Sequence, residues 1–582
     1  MTDFFEVHER DGAARLGELR LADPLTTPAL VGDRVHDAGS LWPESRDTPE
    51  GDENALTVLP HRAFPGGTPE EVQAAFDPEV PDIDAPSAAV VSPQTAADRG
   101  TDAYVLSNAQ ELVGYAKAFV EGIVATREAI PDDTALYLAG VATPANVATL
   151  VYAGVDLVDA DRAYVEGTKG QYLATDGAYF LEDLDELPCA CPACQVPREE
   201  FGPEDCAEHN VNALEAELRR VRRRVRDGRL RDYIEGQARH EQWLTATFRR
   251  LDQQYSYLEA RTPLARRDEI TAASDDTLRR VEIQRFADRV TSRYRCRFDN
   301  PLVLVPCSAS KPYSDSQSHR QFHDAIQWRG HVASMTSPIG VVPQELELTY
   351  PAQHYDSVVT GEWSATEVEF VSAVLERYLE RTDYPRVVAH VPEDYREICE
   401  RAADAVDVPF EYTVVDHPTT DESLANLAAA LEGESTYPKR EREHNTVRAV
   451  ADYQFGAGAG DDLFGDTLET PGRYPSLRAD ADGEQVAALV PQYGTLSLTL
   501  AGGHRWVDSD VPTKTVEIDA FVPRGSVLAP GVVDADDDIR VGDEVVVEGP
   551  EAFAVGRAAM HGGAMASATR GVAVEVRHSE ER

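Results

Sequence analysis

A thiol, an amine and an imidazole fall within thirteen residues of one another: Cys307, Lys311 and His319, in Pro306-Cys307-Ser308-Ala309-Ser310-Lys311-Pro312-Tyr313-Ser314-Asp315-Ser316-Gln317-Ser318-His319. The apolar run Leu302-Val303-Leu304-Val305 before it reads as a buried strand, and the segment from Arg320 to Trp328 reads as a helix. A strand-to-helix loop at the carboxyl edge of an α/β sheet is where such folds place ligands. A thiol beside an ammonium and a helix start loses its proton more readily and becomes a better nucleophile. Cys307 is therefore the candidate nucleophile, with Lys311 to lower its pKa. A buried cysteine beside a capping serine is the plain alternative.

Cys189, Cys191, Cys194 and, after 14 further residues, His209 supply four soft ligands at spacings that can wrap one tetrahedral ion. Cys206 competes for the fourth place. His209 is preferred because it opens a long helix that would hold the imidazole. With no position left for water, the expected ion is a structural zinc. The odd total of seven cysteines, four of them within 18 positions, favours metal binding and a reactive thiol over disulfides.

The 582 residues are too many for a single core and carry a formal charge of -48. The acid is spread along the chain, and only five of the 55 basic residues are lysines: Lys117, Lys169, Lys311, Lys439 and Lys514. This composition resembles that of an extreme halophile, in whose salt a Debye length of about 3 Å screens self-repulsion. The net charge then reports the solvent more than the partner. Met1 to Gly12 has neither a basic start nor an apolar run, and no stretch is apolar enough to span a bilayer. A cytoplasmic protein with no membrane partner is expected.

The elements that must position these groups form an α/β multidomain pattern. Short strands and turns occupy the first thirty residues, and residues 40 to 100 are rich in Pro, Asp, Glu and Gly with weak periodicity. Helix and strand alternate from about residue 103, implying a parallel sheet, open or closed. A second α/β region runs from Pro301 to about 430, a small α+β segment follows, and short strands with glycine turns extend from Lys514 to His578. Between Ala213 and Arg250 there are 11 arginines against six acids. That surplus suits phosphate contacts, but equally a solvated helix face with i,i+4 salt pairs.

The cysteine cluster followed by His209-Asn210 resembles the tRNA-guanine transglycosylase family, a (β/α)8 barrel with a structural zinc. Gly140 to Asp161 resembles that family's segment bearing the nucleophilic aspartate, which would fall at Asp159. No segment like the family's DSGGFQ motif occurs, so base exchange is not expected and Asp159 is either a relic or a substrate contact. The loop from Pro306 to His319 resembles the signature of the archaeosine synthase family, as does Ser337 to Glu347 running on to Asp356. Residues 521 to 578 resemble a PUA domain, a small β-barrel that binds structured RNA. The resemblance implies a degenerate TIM-like barrel with the zinc site (1–295), an α/β catalytic domain (296–435), a small α+β domain (436–511) and a PUA domain (512–582).

It also implies a substrate, tRNA carrying 7-cyano-7-deazaguanine (preQ0) at position 15, whose nitrile would become an amidine. Free lysine is the first choice of amine donor, its adduct then cleaved by a separate lyase; glutamine or ammonia is the second. Cys307 could add to the nitrile carbon to give a thioimidate that the amine displaces; direct amine attack also fits. His319 or Asp315 could move protons, and Lys311 could instead hold the donor's carboxylate. Ser308, Ser310, Tyr313, Ser316, Ser318, Glu345 and Asp159 are candidate substrate contacts. An active transglycosylase inserting preQ0 and a non-catalytic tRNA-binding partner are the rival readings. A homodimer is allowed.

Overall fold

The computed structural model describes residues 3–42, 46–357 and 362–582, which form two compact units. The first comprises residues 1–263, 528–540 and 560–573, and the second 264–527, 541–559 and 574–582. No helix among the described residues is long and apolar enough to cross a membrane.

The first unit opens with an antiparallel sheet of β1 (Phe5–Asp11), β2 (Ala14–Leu19) and β3 (Leu25–Thr27). A seven-stranded parallel sheet follows: β4 (Ala29–Leu30), β5 (Val35–Asp37), β6 (Leu56–Val58), β7 (Ser87–Val91), β8 (Ala103–Leu106), β9 (Ala135–Leu138) and β10 (Leu157–Val158). Its order is β4-β10-β9-β8-β7-β6-β5. The two end strands, β4 and β5, are joined by only four residues, which reach about 17 Å at most, so the sheet must curl on itself. Val31 N–H donating to the Val158 carbonyl at 2.9 Å extends the β4–β10 pairing by one residue. The result is the expected barrel in degenerate form. Among the described residues it has seven strands, and no helix connects β5 to β6 or β7 to β8. Small residues (Ala88, Ala103 and Ala135) line its core with Leu56, Val58 and Leu157. Arg15 on β2 forms a buried ion pair with Asp156 before β10, fixing the opening sheet against the barrel.

The first unit also holds the antiparallel hairpin of β11 (Gln171–Ala174) and β12 (Gly177–Phe180). In the second unit β13 (Ile270–Ala272) pairs separately with β17 (Tyr355–Ser357), and β14 (Leu302–Pro306), β15 (His331–Thr336), β16 (Gly340–Pro343), β18 (Val387–Ala389) and β19 (Phe410–Tyr412) form a five-stranded sheet of order β16-β15-β14-β18-β19. The central strand β14 runs parallel to β15 on one side and β18 on the other. β16 adds antiparallel to β15, and β19 parallel to β18. The alternation of β14 explains its two covered faces. Leu302 and Leu304 join the core containing the helices Val281–Ser292 and Ala365–Glu380. Val303 and Val305 pack instead with Phe322 and Ile326 of Gln317–Ile326 and Leu427 of Asp421–Ala430. Parallel sheets buried on both faces read as such continuous apolar runs.

Residues 264–295, assigned to the barrel on sequence, lie in this second unit, because Ile270, Ile283, Phe286 and Val290 bury their side chains in its core. The α+β segment is the helix Lys439–Phe455 with four antiparallel strands between Gly472 and Leu498. At the C-terminus Thr515–Ile518 pairs parallel with Glu544–Glu548, which pairs antiparallel with Ala552–Ala558, and that strand with Val572–Glu581.

Candidate functional site

Cys307 stands where the topology changes direction. From β14 the chain crosses through Gln317–Ile326 on one face to β15, and the return through Ala365–Glu380 on the opposite face reaches β18 on β14's other side. At such a switch point the loops diverge and leave a crevice outside the strand ends. Cys307 N–H still donates to the Met335 carbonyl at 3.1 Å, holding the first loop residue to the sheet edge. A cavity of about 1160 Å³ opens there, lined by Cys307, Ser308, Ser318, Trp363, Asp394 and Tyr395 among others.

The thiol is half-buried. The Tyr395 hydroxyl lies 3.6 Å from its sulfur, and the Tyr355 hydroxyl also faces it. Tyr355 is fixed by Tyr313 and Thr336, hydroxyl to hydroxyl, at 2.8 and 2.7 Å. Burial, then the neighbouring sulfur, raises both Tyr355 and Tyr395 above the ordinary phenol range, so each stays a protonated donor. The Lys311 ammonium rests 3.8 Å from the Tyr355 ring centroid. Burial lowers its pKa, and the charge of Cys307 opposes that shift. Thiol, ammonium and two phenols thus converge at the carboxyl end of β14.

The other expected loop residues separate into those that face the cavity and those that hold the loop. Ser308 and Ser318 line the cavity. Ser316 caps the following helix, its hydroxyl accepting from His319 N–H at 3.2 Å. His319 is buried, stacks on Tyr313 at 5.3 Å, and its Nε2 meets the Pro306 carbonyl at 3.0 Å. Burial pushes its pKa down to about 4, so it is neutral and donates from Nε2, pinning the end of β14. It is a strut and does not line the cavity. Asp315 and Ser310 are exposed and outside the cavity lining. Glu345 is also elsewhere, buried in the core with His331 Nε2 at 3.0 Å and the Tyr294 hydroxyl at 3.3 Å. It is Glu347, two residues on, that reaches the loop, accepting from Ser314 N–H and hydroxyl at 2.9 and 2.7 Å and from the Tyr474 hydroxyl.

Asp394, Tyr395 and Trp363 were not legible as site residues. They come from loops 56 or more positions beyond Cys307, and only the sheet order brings them to it. Trp363 lies beside Asp394, whose carboxyl is raised from its ordinary value by burial. The acids Asp275, Glu362, Glu367 and Asp394 line the cavity, and no lysine or arginine is among its described lining residues.

In the first unit Cys189, Cys191, Cys194 and His209 put their ligand atoms within 4.8 Å of one another. The hairpin Gln171–Ala174/Gly177–Phe180 and the helix Pro203–Arg226 frame them. Cys191 Sγ is 3.7 Å from Cys194 Sγ, and His209 Nδ1 is 3.5 and 3.4 Å from the two sulfurs. The edges of a tetrahedron with metal–sulfur bonds near 2.3 Å and metal–nitrogen bonds near 2.0 Å are about 3.8 and 3.5 Å. His209 Nε2 is bound to the Leu173 carbonyl at 3.0 Å, and Tyr172 stacks on the ring at 3.7 Å, so Nδ1 is left for an ion. The residues fit one tetrahedral metal. Cys206 is wholly buried and outside the group.

Asp159 is buried at the end of β10. Its carboxylate accepts from the Tyr137 hydroxyl at 2.9 Å, Gly140 N–H at 2.8 Å and Asp161 N–H at 3.2 Å. Those bonds make it a clamp between strand ends. Along the arginine-rich stretch several cations are committed locally. Arg219 pairs with Glu215, Arg220 with Glu217 and Arg223 with Asp227, while Arg231 is buried against Glu235 and Asp252. The salt-pair reading accounts for these residues without a phosphate.

Comparison with known proteins follows the same divisions. Residues 87–242 match the family described as Queuine tRNA-ribosyltransferase, and 283–431 a domain of unknown function, DUF5591. Residues 445–512 match the patch-forming domain C2 of tRNA-guanine transglycosylase, and 515–579 the PUA domain. The Cys307 loop and its cavity thus fall mostly within the segment whose family carries no function in its name. The chain is 65% identical to the archaeosine synthase of Haloferax volcanii over 100% of both chains. It is 40% identical to the archaeosine synthase subunit alpha of Methanosarcina acetivorans over 99% of both. It is 27% identical to the tRNA-guanine(15) transglycosylase of Methanothermobacter thermautotrophicus, over 79% of this chain and 68% of that one.

Proposed function

This chain belongs to the archaeosine synthase family and acts in archaeosine biosynthesis on tRNA, and we propose that its step is conversion of the nitrile of preQ0 at position 15 into an amidine, with Cys307 as the nucleophile. The observation that carries this reading is the Cys307 thiol, set at the sheet's switch point beside Lys311 and Tyr395 and open to a cavity of about 1160 Å³. Ligand sites run from about 300 to 1,000 Å³, so a flipped-out modified base and a small amine can share it.

The Cys307 thiolate adds to the nitrile carbon; a C–S bond forms, one π bond breaks, and the nitrogen takes a proton to give a thioimidate. The amine then forms the C–N bond, the C–S bond breaks, and the thiolate returns. An ammonium plus a nitrile has the same atoms and charge as the amidinium product, so the protein need only carry protons from donor to imide nitrogen. Asp394 is the carrier on this reading, since it lines the cavity and burial raises its pKa towards the working range. Tyr395 donates to sulfur or to the imide nitrogen. Asp315 and His319 do not take that role: Asp315 lies outside the cavity lining and His319 is engaged with Pro306.

The acidic lining supports a cationic donor, free lysine ahead of glutamine, because a second ammonium finds carboxylates there and no lysine or arginine among the described lining residues. The four clustered ligands of the first unit hold a structural zinc on this reading; it stabilises the fold and takes no part in the reaction. The PUA domain is the tRNA contact. An active transglycosylase is the second reading, disfavoured by the clamped Asp159.

The test is mass spectrometry of nucleosides from preQ0-bearing tRNA incubated with the protein and lysine, glutamine or ammonium. A lysine-sized mass increase on the preQ0 nucleoside is expected. Unchanged preQ0 with every donor, or exchange of the base itself, would overturn the proposal.

A further inference from the structure

We propose that Tyr474, in the α+β domain, is a positioning residue for Cys307 and acts on the thiol loop through Glu347; the inference rests on Cys307 being the reacting thiol. Tyr474 stands at the tight turn between the antiparallel strands Gly472–Arg473 and Ser476–Ala481. Glu347 is 7% exposed, and no cation pairs with it among the described residues. A buried carboxylate without a cation depends on hydrogen-bond donors. Glu347 has three. Ser314 N–H donates to Oε2 at 2.9 Å, and the hydroxyls of Ser314 and Tyr474 both donate to Oε1, at 2.7 and 2.8 Å. The thiol loop and the following domain thus share one acceptor atom.

The α+β domain also fixes the segment that carries Glu347. Tyr350 N–H donates to the Tyr493 carbonyl at 3.0 Å, the Thr349 hydroxyl to the Gly494 carbonyl at 3.1 Å, and the Gln353 amide to the Pro491 carbonyl at 2.8 Å. Gly494 has φ +60°, and a Cβ there would stand 2.3 Å from the Thr349 nitrogen, so only glycine permits this approach. From Ser314 the path to the sulfur is short. The hydroxyl of the adjacent Tyr313 meets that of Tyr355 at 2.8 Å, the Lys311 ammonium rests 3.8 Å from the Tyr355 ring centroid, and the Tyr355 hydroxyl faces Cys307. With Ser314 freed from Glu347, Tyr313 and Lys311 are no longer held against Tyr355. The ammonium then stabilises the Cys307 thiolate less, and the thiol reacts more slowly. The loop that carries the nucleophile is therefore set by a domain outside its own sheet.

The experiment is a double-mutant cycle on the full chain with Tyr474→Phe and Ser314→Ala. Each removes one oxygen atom at a half-buried site, which keeps the fold. Alkylation by iodoacetamide at neutral pH is followed at each cysteine by peptide mass. Each single variant should slow alkylation of Cys307 by roughly threefold to tenfold. The double variant should be no slower than the slower single, because both hydroxyls act on the same oxygen. The half-buried Cys296 of the same unit is the internal reference and should keep its rate throughout. In Tyr474→Phe, kcat should fall with the alkylation rate while KM for the amine stays unchanged. The alkylation cycle reads the link even if preQ0 is left unconverted, so failure of the reaction and failure of the link are distinguishable. An unchanged Cys307 rate in Tyr474→Phe, single effects that multiply in the double variant, or equal slowing at Cys296 would each overturn the proposal.

Discussion

The Tyr395 hydroxyl and the Cys307 sulfur lie 3.6 Å apart although 88 positions separate them in the chain. Tyr395 ends a one-turn helix, Glu393–Tyr395, after β18, and Cys307 follows β14, its parallel neighbour. Both therefore emerge at the same edge, where the thiol gains a donor from outside its own loop. That pairing, with Asp394 beside it, makes the chemistry testable residue by residue.

Replacing Cys307 with Ser preserves shape but substitutes a hydroxyl of far higher pKa. If the step is covalent, turnover should fall on the order of 10⁴-fold or more while tRNA affinity is kept. Wild-type protein given preQ0-tRNA and no amine should carry a thioimidate at Cys307, visible by intact mass after nuclease digestion. Normal turnover by the variant would exclude nucleophilic catalysis there.

Tyr395→Phe removes one donor to the sulfur and leaves Lys311 and Tyr355 in place. Turnover should drop by roughly 10²-fold. The pH at which Cys307 is half-alkylated by iodoacetamide should rise, because the thiolate has lost a hydrogen bond. An unshifted alkylation profile would remove Tyr395 from the role.

Asp394→Asn should abolish the acid limb of the kcat/KM pH profile, since a carboxyl raised by burial must be ionised to accept the ammonium's proton. Turnover should fall by about 10²-fold to 10⁴-fold, with Asp394→Glu restoring part of it. A variant whose acid limb survives would reassign the proton transfer.

Protonation of His319 should unfold the second unit in acid. Its folded pKa is about 4 against roughly 6.5 when unfolded. The stabilisation is complete above pH 6.5 and is lost as pH falls towards 4, because the unfolded chain binds the proton first. Buried His390, also lowered to about 4, acts in the same direction. In His319→Gln, urea titrations should show a shallower decline between those pH values, by up to about 3 kcal/mol of total change.

Cys191→Ala should release the metal from the first unit, reducing stoichiometric zinc to trace amounts by elemental analysis and lowering that unit's unfolding midpoint. A chelator should do the same to wild type. Full-occupancy zinc in the variant would reject the ligand set.

Short-range pattern determined much of this protein in advance. The continuous apolar run from Leu302 to Val305 is dictated by a strand covered on both faces, and the spacing of Cys189, Cys191, Cys194 and His209 already marked the four ligand atoms that the fold brings together. The thiol loop was visible because its thiol, lysine and capping serine are neighbours in sequence. The barrel strands Leu56–Val58 and Ser87–Val91 were not, since three to five residues among prolines and acids carry too little periodicity. Nor could sequence rank residues within a motif. His319 looks like a proton carrier until burial and the Pro306 carbonyl claim it, and Glu345, expected at the substrate, lies in the core while Glu347 holds the loop. Asp394 and Tyr395 joined the site only through strand order, because β14 and β18 are adjacent in space and remote in the chain. Local chemistry follows from neighbouring residues; the partners of Cys307 follow from which strands pair, and pairing is settled by burial of the whole sheet.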